Sequence, residues 1–313
     1  MKYSDIALKV FAAKHCGIIK SNAQFWSQFP EAEKIEAIDL DLGATSNIIR
    51  EYTNQFNKND NDLGIVCAFD KDFPVINGNA KNSDKPYLLF YKGDITLLKN
   101  LNRNVAVIGL TEPTHEIERR EIEILKQLSS DDIVIVSGLA KGCDAIAHKF
   151  CVDTNNKTIA ILPTQIGKIS PAINRSLAHD IVRAGGLLIS EYYKETTARN
   201  EAIGRYIERD RLQAMFSKAI ILIASYRKNE GDSGSRHAME AAKNYKIERY
   251  VVFNKEIDYD NKQFGLNRDF VESKYTDVKI LQKSSIDHII SLVNKDLNNT
   301  PLTQKPIQLN LLN

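Results

Sequence analysis

The residues best placed to do chemistry lie in Ser137-Gly138-Leu139-Ala140-Lys141-Gly142-Cys143-Asp144, which follows an apolar run and opens a helical pattern. Gly138 and Gly142 let backbone approach a ligand closely. The amides and dipole of the next helix would attract an anion, with Lys141 adding positive charge. The plainer reading is a tight strand-to-helix turn. The spacing matches neither the dinucleotide G-x-G-x-x-G nor the phosphate loop G-x-x-x-x-G-K-[ST]. A second Gly/Ser segment, Gly231-Asp232-Ser233-Gly234-Ser235, precedes a helix holding Ala238–Ala242; it reads equally as an anion nest or as an ordinary loop. Asp144 and His148, four apart on one helix face, permit an acid/base contact. No nucleophile or metal-ligand set accompanies them, which favours a capping carboxylate and a structural histidine.

The total charge of +2 excludes a general polycation but hides an uneven distribution. Residues 194–249 hold twelve Lys/Arg against eight Asp/Glu, so this segment carries +4 and the remainder −2. Within it Arg205, Arg209 and Arg211 could grip phosphates bidentately. The competing reading is a solvated helix face paired with Glu208 and Asp210. Cys16, Cys67, Cys143 and Cys151 form no C-x-x-C pair and no metal-ligand spacing; three of them sit beside apolar or helix-forming residues, so buried reduced thiols and a cytoplasmic chain are expected. No run approaches the ~18–20 apolar residues of a membrane span, and no cofactor motif is present.

These residues need a scaffold, and the apolar pattern supplies one. Short unbroken runs at 105–108, 133–136, 159–162, 187–189, 220–223 and 250–253 suit strands covered on both faces. Amphipathic stretches at 115–129, 142–153, 171–184, 200–217 and 235–246 separate them. The alternation predicts an α/β fold, a doubly wound, mostly parallel Rossmann-like sheet. Its ligands belong outside the carboxyl ends of the strands, where both Gly/Ser segments fall. Residues 4–56 read as helical, 57–62 as a polar break, and 64–68 and 87–91 as two further strands. After Asn254 the pattern becomes a polar loop, then a last helix near 286–297 and a flexible tail. The expected division is a helical region at 1–58, the sheet domain at 59–283, a helix at 284–300 and the tail at 301–313.

The stretch VIVSGLAKGCDAIAH closely resembles the S-G-x-A-x-G-x-D-x-x-x-H segment of the DNA-processing protein A (DprA/Smf) family. FDKDFP, YLLFYKGD, VAVIG, SPAINRSL, GGLLISEY, ERDRLQA and GDSGSRHAMEAA follow that family's order, over roughly residues 60–255. The resemblance implies an extended Rossmann-like domain that binds single-stranded DNA without catalysis, forms a homodimer and helps load a RecA-type recombinase. It implies a pocket of Gly109, Ser137, Gly138, Lys141, Gly142, Asp144, Asn174, Arg209, Arg211, Ser233, Gly234 and Ser235, with Thr111 and Arg236 at positions that depart from the family. Where the family reads Gly-Ser-Arg, this chain has Gly109-Leu110-Thr111 and lacks the guanidinium. R-N-R becomes Arg209-Asp210-Arg211, and S-G-S-x-x-T loses its threonine while gaining Arg236. No stretch matches the C-terminal winged-helix piece of many members. One lost phosphate grip predicts weaker binding, with a salt slope lower by about one unit.

The wider Smf/LOG-like superfamily implies an alternative, a nucleotide sensor or a nucleotide-cleaving protein. The cleaving relatives' P-G-G-x-G-T-x-x-E is only partly met by residues 231–240, which end at Glu240. Tyr192, Tyr193 and Tyr206 are candidates for base stacking, or for core and rim positions. In the tail, Gln308, Leu309, Leu311 and Leu312 resemble the Q-L-x-L-[FL] peptide that docks on bacterial sliding clamps; a merely hydrophobic tail is the plainer reading.

Overall fold

The structure is a computed structural model, which describes residues 1–40, 42–54, 62–99, 103–129, 133–273 and 277–297. Before the sheet lie four helices, α1 (Asp5–His15), α2 (Asn22–Gln28), α3 (Ala32–Glu36) and α4 (Leu42–Thr53). The sheet has nine strands: β1 (Leu63–Cys67), β2 (Leu88–Gly93), β3 (Asn104–Ile108), β4 (Val134–Ser137), β5 (Thr158–Ile161), β6 (Leu187–Ser190), β7 (Ala219–Leu222), β8 (Glu248–Val251) and β9 (Val278–Ile280). Their order is β1-β2-β6-β5-β4-β3-β7-β8-β9. From β6 to β9 every pairing is parallel, while β2 joins β6, and β1 joins β2, antiparallel. The six apolar runs are β3 to β8, buried on both faces as unbroken hydrophobicity requires.

Helices α5 (His115–Leu128), α6 (Cys143–Asp153) and α7 (Arg175–Arg183) connect β3 through β6. Helix α8 (Arg199–Met215) returns the chain across the sheet to β7, and α9 (Arg236–Asn244) leads to β8. Alternation along β3 separates the faces: Val105 and Val107 pack with α5 and α6, whereas Ala106 and Ile108 pack with α8 and α9. From β3 the chain moves to one side, and β7 continues on the other. The crevice outside β3, β4 and β7 is therefore the switch point where an open sheet receives ligands. The first four helices share a core with β1, β2 and α7.

The stretch after Asn254 departs from the expected polar loop. It holds α10 (Lys255–Asp258), α11 (Gly265–Glu272) and β9, and the last helix α12 (Lys283–Leu297) starts three residues before the expected position. Strand β9 is three residues at the sheet edge with Lys279 exposed, too short for a periodic signal. Helix α11 is fixed by Asn267, whose amide group donates to Ile223 O and Val252 O at 3.0 and 2.8 Å and accepts from Ser225 N at 3.1 Å. Cys67, Cys143 and Cys151 are buried thiols, and Cys16 is exposed. The clamp-like residues 308–312 lie outside the described residues. Among the described residues no helix is long and apolar enough to cross a membrane.

Candidate anion-binding site

Strand β4 ends at Ser137, whose hydroxyl donates to Val107 O at 2.7 Å and ties the end of β4 to β3. The loop beyond it turns through a left-handed Leu139 (φ 56°) and Gly142 (φ 65°). A Cβ on Gly142 would lie 2.3 Å from Leu110 O, and one on Gly138 would lie 1.2 Å from the Arg209 guanidinium. The spacing of these glycines thus has two causes: Gly142 seats the loop on the 109–113 segment, and Gly138 leaves room for Arg209 beneath it. Cys143 N completes the first contact by donating to Leu110 O at 2.9 Å.

Three expected ligand contacts turn out to be the loop's supports. Asp144 is buried, and its Oδ2 accepts from Gly138 N and Ala140 N at 3.1 and 3.2 Å. Asn174 Nδ2 donates to Leu139 O and Ala140 O, each at 2.9 Å. Arg209, 5% exposed, donates to Ile161 O and lies 3.8 Å from Asp144 and 3.1 Å from Asp210. Arg209 therefore does not present a phosphate grip. Neither does Arg211, which is held 2.7 Å from Glu191 and donates to Asp84 O. Both the exposed grip and the solvated face expected for this helix give way to buried ion pairs. Arginines elsewhere in the cationic segment are also engaged: Arg205 with Glu201, Arg227 with Asp269, Arg249 with Asp277.

The Asp144–His148 acid/base pairing does not form. His148 Nδ1 lies 2.7 Å from Thr158 Oγ1, and that hydroxyl already donates to Ile135 O. The imidazole Nδ1 must then be the donor. Burial, helped by the Arg209 charge, pushes the His148 pKa down to about 3, so the ring is neutral. Burial raises the Asp144 carboxyl despite the Arg209 charge, and lifts Asp210 to about 7.

The 231–235 loop is tied to the 109–113 segment. Ser235 Oγ donates to Gly109 O at 3.2 Å, and the Asp232 carboxylate accepts from Thr111 N at 2.7 Å. Arg236 folds back onto the backbone oxygen and hydroxyl of Ser233. Asp232 was not among the residues singled out in the sequence. Its signal was an acid after glycine in a Gly/Ser turn, a residue type that captures nearby amides. It occupies a first-loop donor that an anion would otherwise use.

What stays open is the start of α6. Helix α5 has Thr114 as a side-chain cap, whereas the α6 N-cap is Gly142, which has none. Among the described residues the amides of Lys141 and Gly142 meet no protein acceptor, and the Lys141 side chain is exposed. Free amides, a helix dipole and a lysine facing solvent are the features that an anion would need at this loop. Among the described residues no group of three metal-ligating side chains exists. Tyr206 bonds Ser170, and Tyr192 bonds Glu208 beneath the Arg205 guanidinium, while Tyr193 packs on Phe11 and Phe90.

The sequence profile of the family described as DNA recombination-mediator protein A matches residues 64–273. The chain belongs to this family. The protein Smf of Synechocystis is 32% identical over half of this chain and 38% of its own length. The DNA processing protein DprA of Streptococcus pneumoniae is 38% identical over 35% of this chain and 37% of its own length. The chain thus matches less than half the length of these curated relatives. Two solved structures share the architecture. That of DprA from Streptococcus pneumoniae superposes with a TM-score of 0.67 at 23% identity, covering 91% of this chain and 97% of the other. That of DNA processing protein A from Helicobacter pylori, described by its single-stranded DNA binding mode, has a TM-score of 0.58 at 25% identity, covering 74% and 96%. The family's matched span runs from β1 through α11 and takes in the whole cradle.

Proposed function

We propose that this chain acts in DNA processing by binding single-stranded DNA, with phosphates seated at the open start of α6. The observation that carries this reading is the uncapped α6 N-terminus beside Lys141, at the switch point of the sheet. The single-stranded DNA binding described for the Helicobacter pylori relative supports it. In this reading the cradle is non-catalytic, since Asp144 serves the loop amides and His148 serves Thr158. Homodimerisation and delivery of the strand to a RecA-type recombinase complete the proposal by family membership.

Fluorescence anisotropy with oligo-dT at two salt concentrations tests it. Each phosphate contact contributes about one unit to the salt slope, so Lys141→Ala should weaken binding and flatten the slope by about that amount. Arg236→Ala should do the same if release from Ser233 lets its guanidinium reach the strand. Binding that is micromolar or weaker and indifferent to salt would sink the reading.

The nucleotide-sensing alternative draws on one specific observation: Thr111 stands where the family has arginine, and its amide is taken by Asp232. That removes one guanidinium and one amide from the donors that the first loop could offer a strand. Incubation with nucleoside monophosphates separates the readings: released base would establish cleavage, and binding of nucleotide without oligo-dT would establish sensing. The clamp-like tail is tested by calorimetry of a 304–313 peptide against sliding clamp.

A further inference from the structure

A cavity of about 650 Å³ separates the first two helices from the carboxyl end of β6. Lys14 of α1, Tyr87 before β2, Glu191 and Tyr193 after β6, and Arg211 of α8 line it, with Lys20 at its mouth. It belongs to a different strand end from the α6 cradle, and none of its lining residues is in the loops that build that cradle.

The hydrogen-bond balance of its walls is uneven. The acids are already matched. Glu191 accepts from Arg211 at 2.7 Å and Asn22 at 3.3 Å, Glu208 accepts from Tyr192, and Asp84 accepts from Tyr245. The donors are not. Lys14 Nζ sits 4.9 Å from the centre of the Tyr87 ring, which stacks with Phe25 at 4.4 Å between ring centres. Among the described residues that ammonium has neither a hydrogen bond nor an ion pair, and the hydroxyls of Tyr87 and Tyr193 have no hydrogen bond. A half-buried ammonium that lines the cavity without a protein acceptor is a donor that an anion in the cavity would satisfy.

We propose that this cavity binds a phosphomonoester, anchored by Lys14 and hydrogen-bonded by the Tyr87 and Tyr193 hydroxyls. A phosphomonoester brings nearly two negative charges and three acceptor oxygens, which suits an ammonium, two phenols and the second ammonium of Lys20. The volume lies within the range of sites that enclose small organic ligands, so a nucleotide-sized molecule fits. The same chemistry reaches the protein in two forms, a free nucleotide or the 5′-phosphorylated end of a strand. This inference does not depend on the cradle. Burial also lowers the Lys14 pKa, and Glu191 and Glu208 partly oppose that shift.

The experiment is calorimetry of the full chain with thymidine 5′-monophosphate, alongside anisotropy with oligo-dT carrying a 5′-phosphate or a 5′-hydroxyl. Wild type is compared with Lys14→Met and with Lys141→Ala. Loss of a charge-assisted contact should weaken the phosphomonoester probe about tenfold in Lys14→Met. Lys141→Ala should weaken both oligo-dT probes alike and leave their 5′-phosphate preference intact, which separates the cavity from the cradle. A free-nucleotide ligand shows in the calorimetry, and a strand end shows as a 5′-phosphate preference that Lys14→Met abolishes. Tyr87→Phe and Tyr193→Phe, which remove only a hydroxyl, should each weaken the same probe and decide the matter if Lys14→Met melts early. If no phosphomonoester probe binds, or all bind Lys14→Met as well as wild type, the proposal is wrong.

Discussion

Arg209 is the residue whose place most changes the reading of the site. Its guanidinium fills the space below Gly138 and is the cation nearest Asp144 and Asp210. Removing one partner of a buried ion pair leaves uncompensated charge, typically about 3–5 kcal/mol. Arg209→Ala should therefore lower stability by about that much in urea unfolding, before any binding is measured. Gly138→Ala should resemble it, because the new methyl claims the position of the guanidinium. Arg236→Ala should stay within about 1 kcal/mol, since its contacts are to the adjacent Ser233 turn. The sequence marks Gly138 and Gly142 for close approach by a ligand, whereas the close approaches here are by the Arg209 guanidinium and by the 109–113 segment. The direction of Arg209 was not legible in the sequence. An arginine on a helix reads the same whether α8 turns it toward solvent or under a loop, and that depends on where α8 crosses the sheet.

At the level of elements, strands β3 to β8 were legible because burial on both faces demands unbroken apolar runs. The α6 start was legible too, since a glycine N-cap leaves amides open. The interloop tie made by Asp232 was hidden, because it joins residues 121 positions apart. So was α11, whose position depends on Asn267 rather than on an apolar stripe. Asn267 is fully buried and bridges the ends of β7 and β8. Asn267→Leu would leave Ser225 N and carbonyls of both strand ends without their partner. Each buried orphan costs about 1–3 kcal/mol, so a loss of several kcal/mol is expected. Hydrogen exchange should show faster opening of 225–235 and 252–272, with β4 and β5 unchanged; uniform loosening of the sheet would mean that Asn267 does not act locally.

For the whole molecule, the small net charge conceals a sheet that spends its arginines internally. Five of the seven arginines of residues 194–249, Arg205, Arg209, Arg211, Arg227 and Arg249, are held in ion pairs within the fold, so fewer guanidinium groups face solvent than composition suggests. Beneath the cradle three acids, Glu121, Asp144 and Asp210, have carboxyl pKa values raised by burial. For Asp210 the folded value of about 7 stands above the unfolded 3.8, so between these the folded chain holds a proton that the unfolded chain has released. Stability from this group is then complete below about pH 4 and is lost as pH rises through 7. The 3.1 Å approach of Arg209 argues the other way, toward an ionised Asp210, but Arg209 already serves Asp144 and Ile161 O and burial outweighs its pull. Asp210→Asn removes the titration while keeping the shape. Urea midpoints of wild type and Asp210→Asn, taken at pH 4.5 and 7.5, should diverge, with wild type losing more at the higher pH. Parallel midpoints would mean that Arg209 holds Asp210 ionised throughout, and that the layer under the cradle is a true ion-pair network rather than a protonated one.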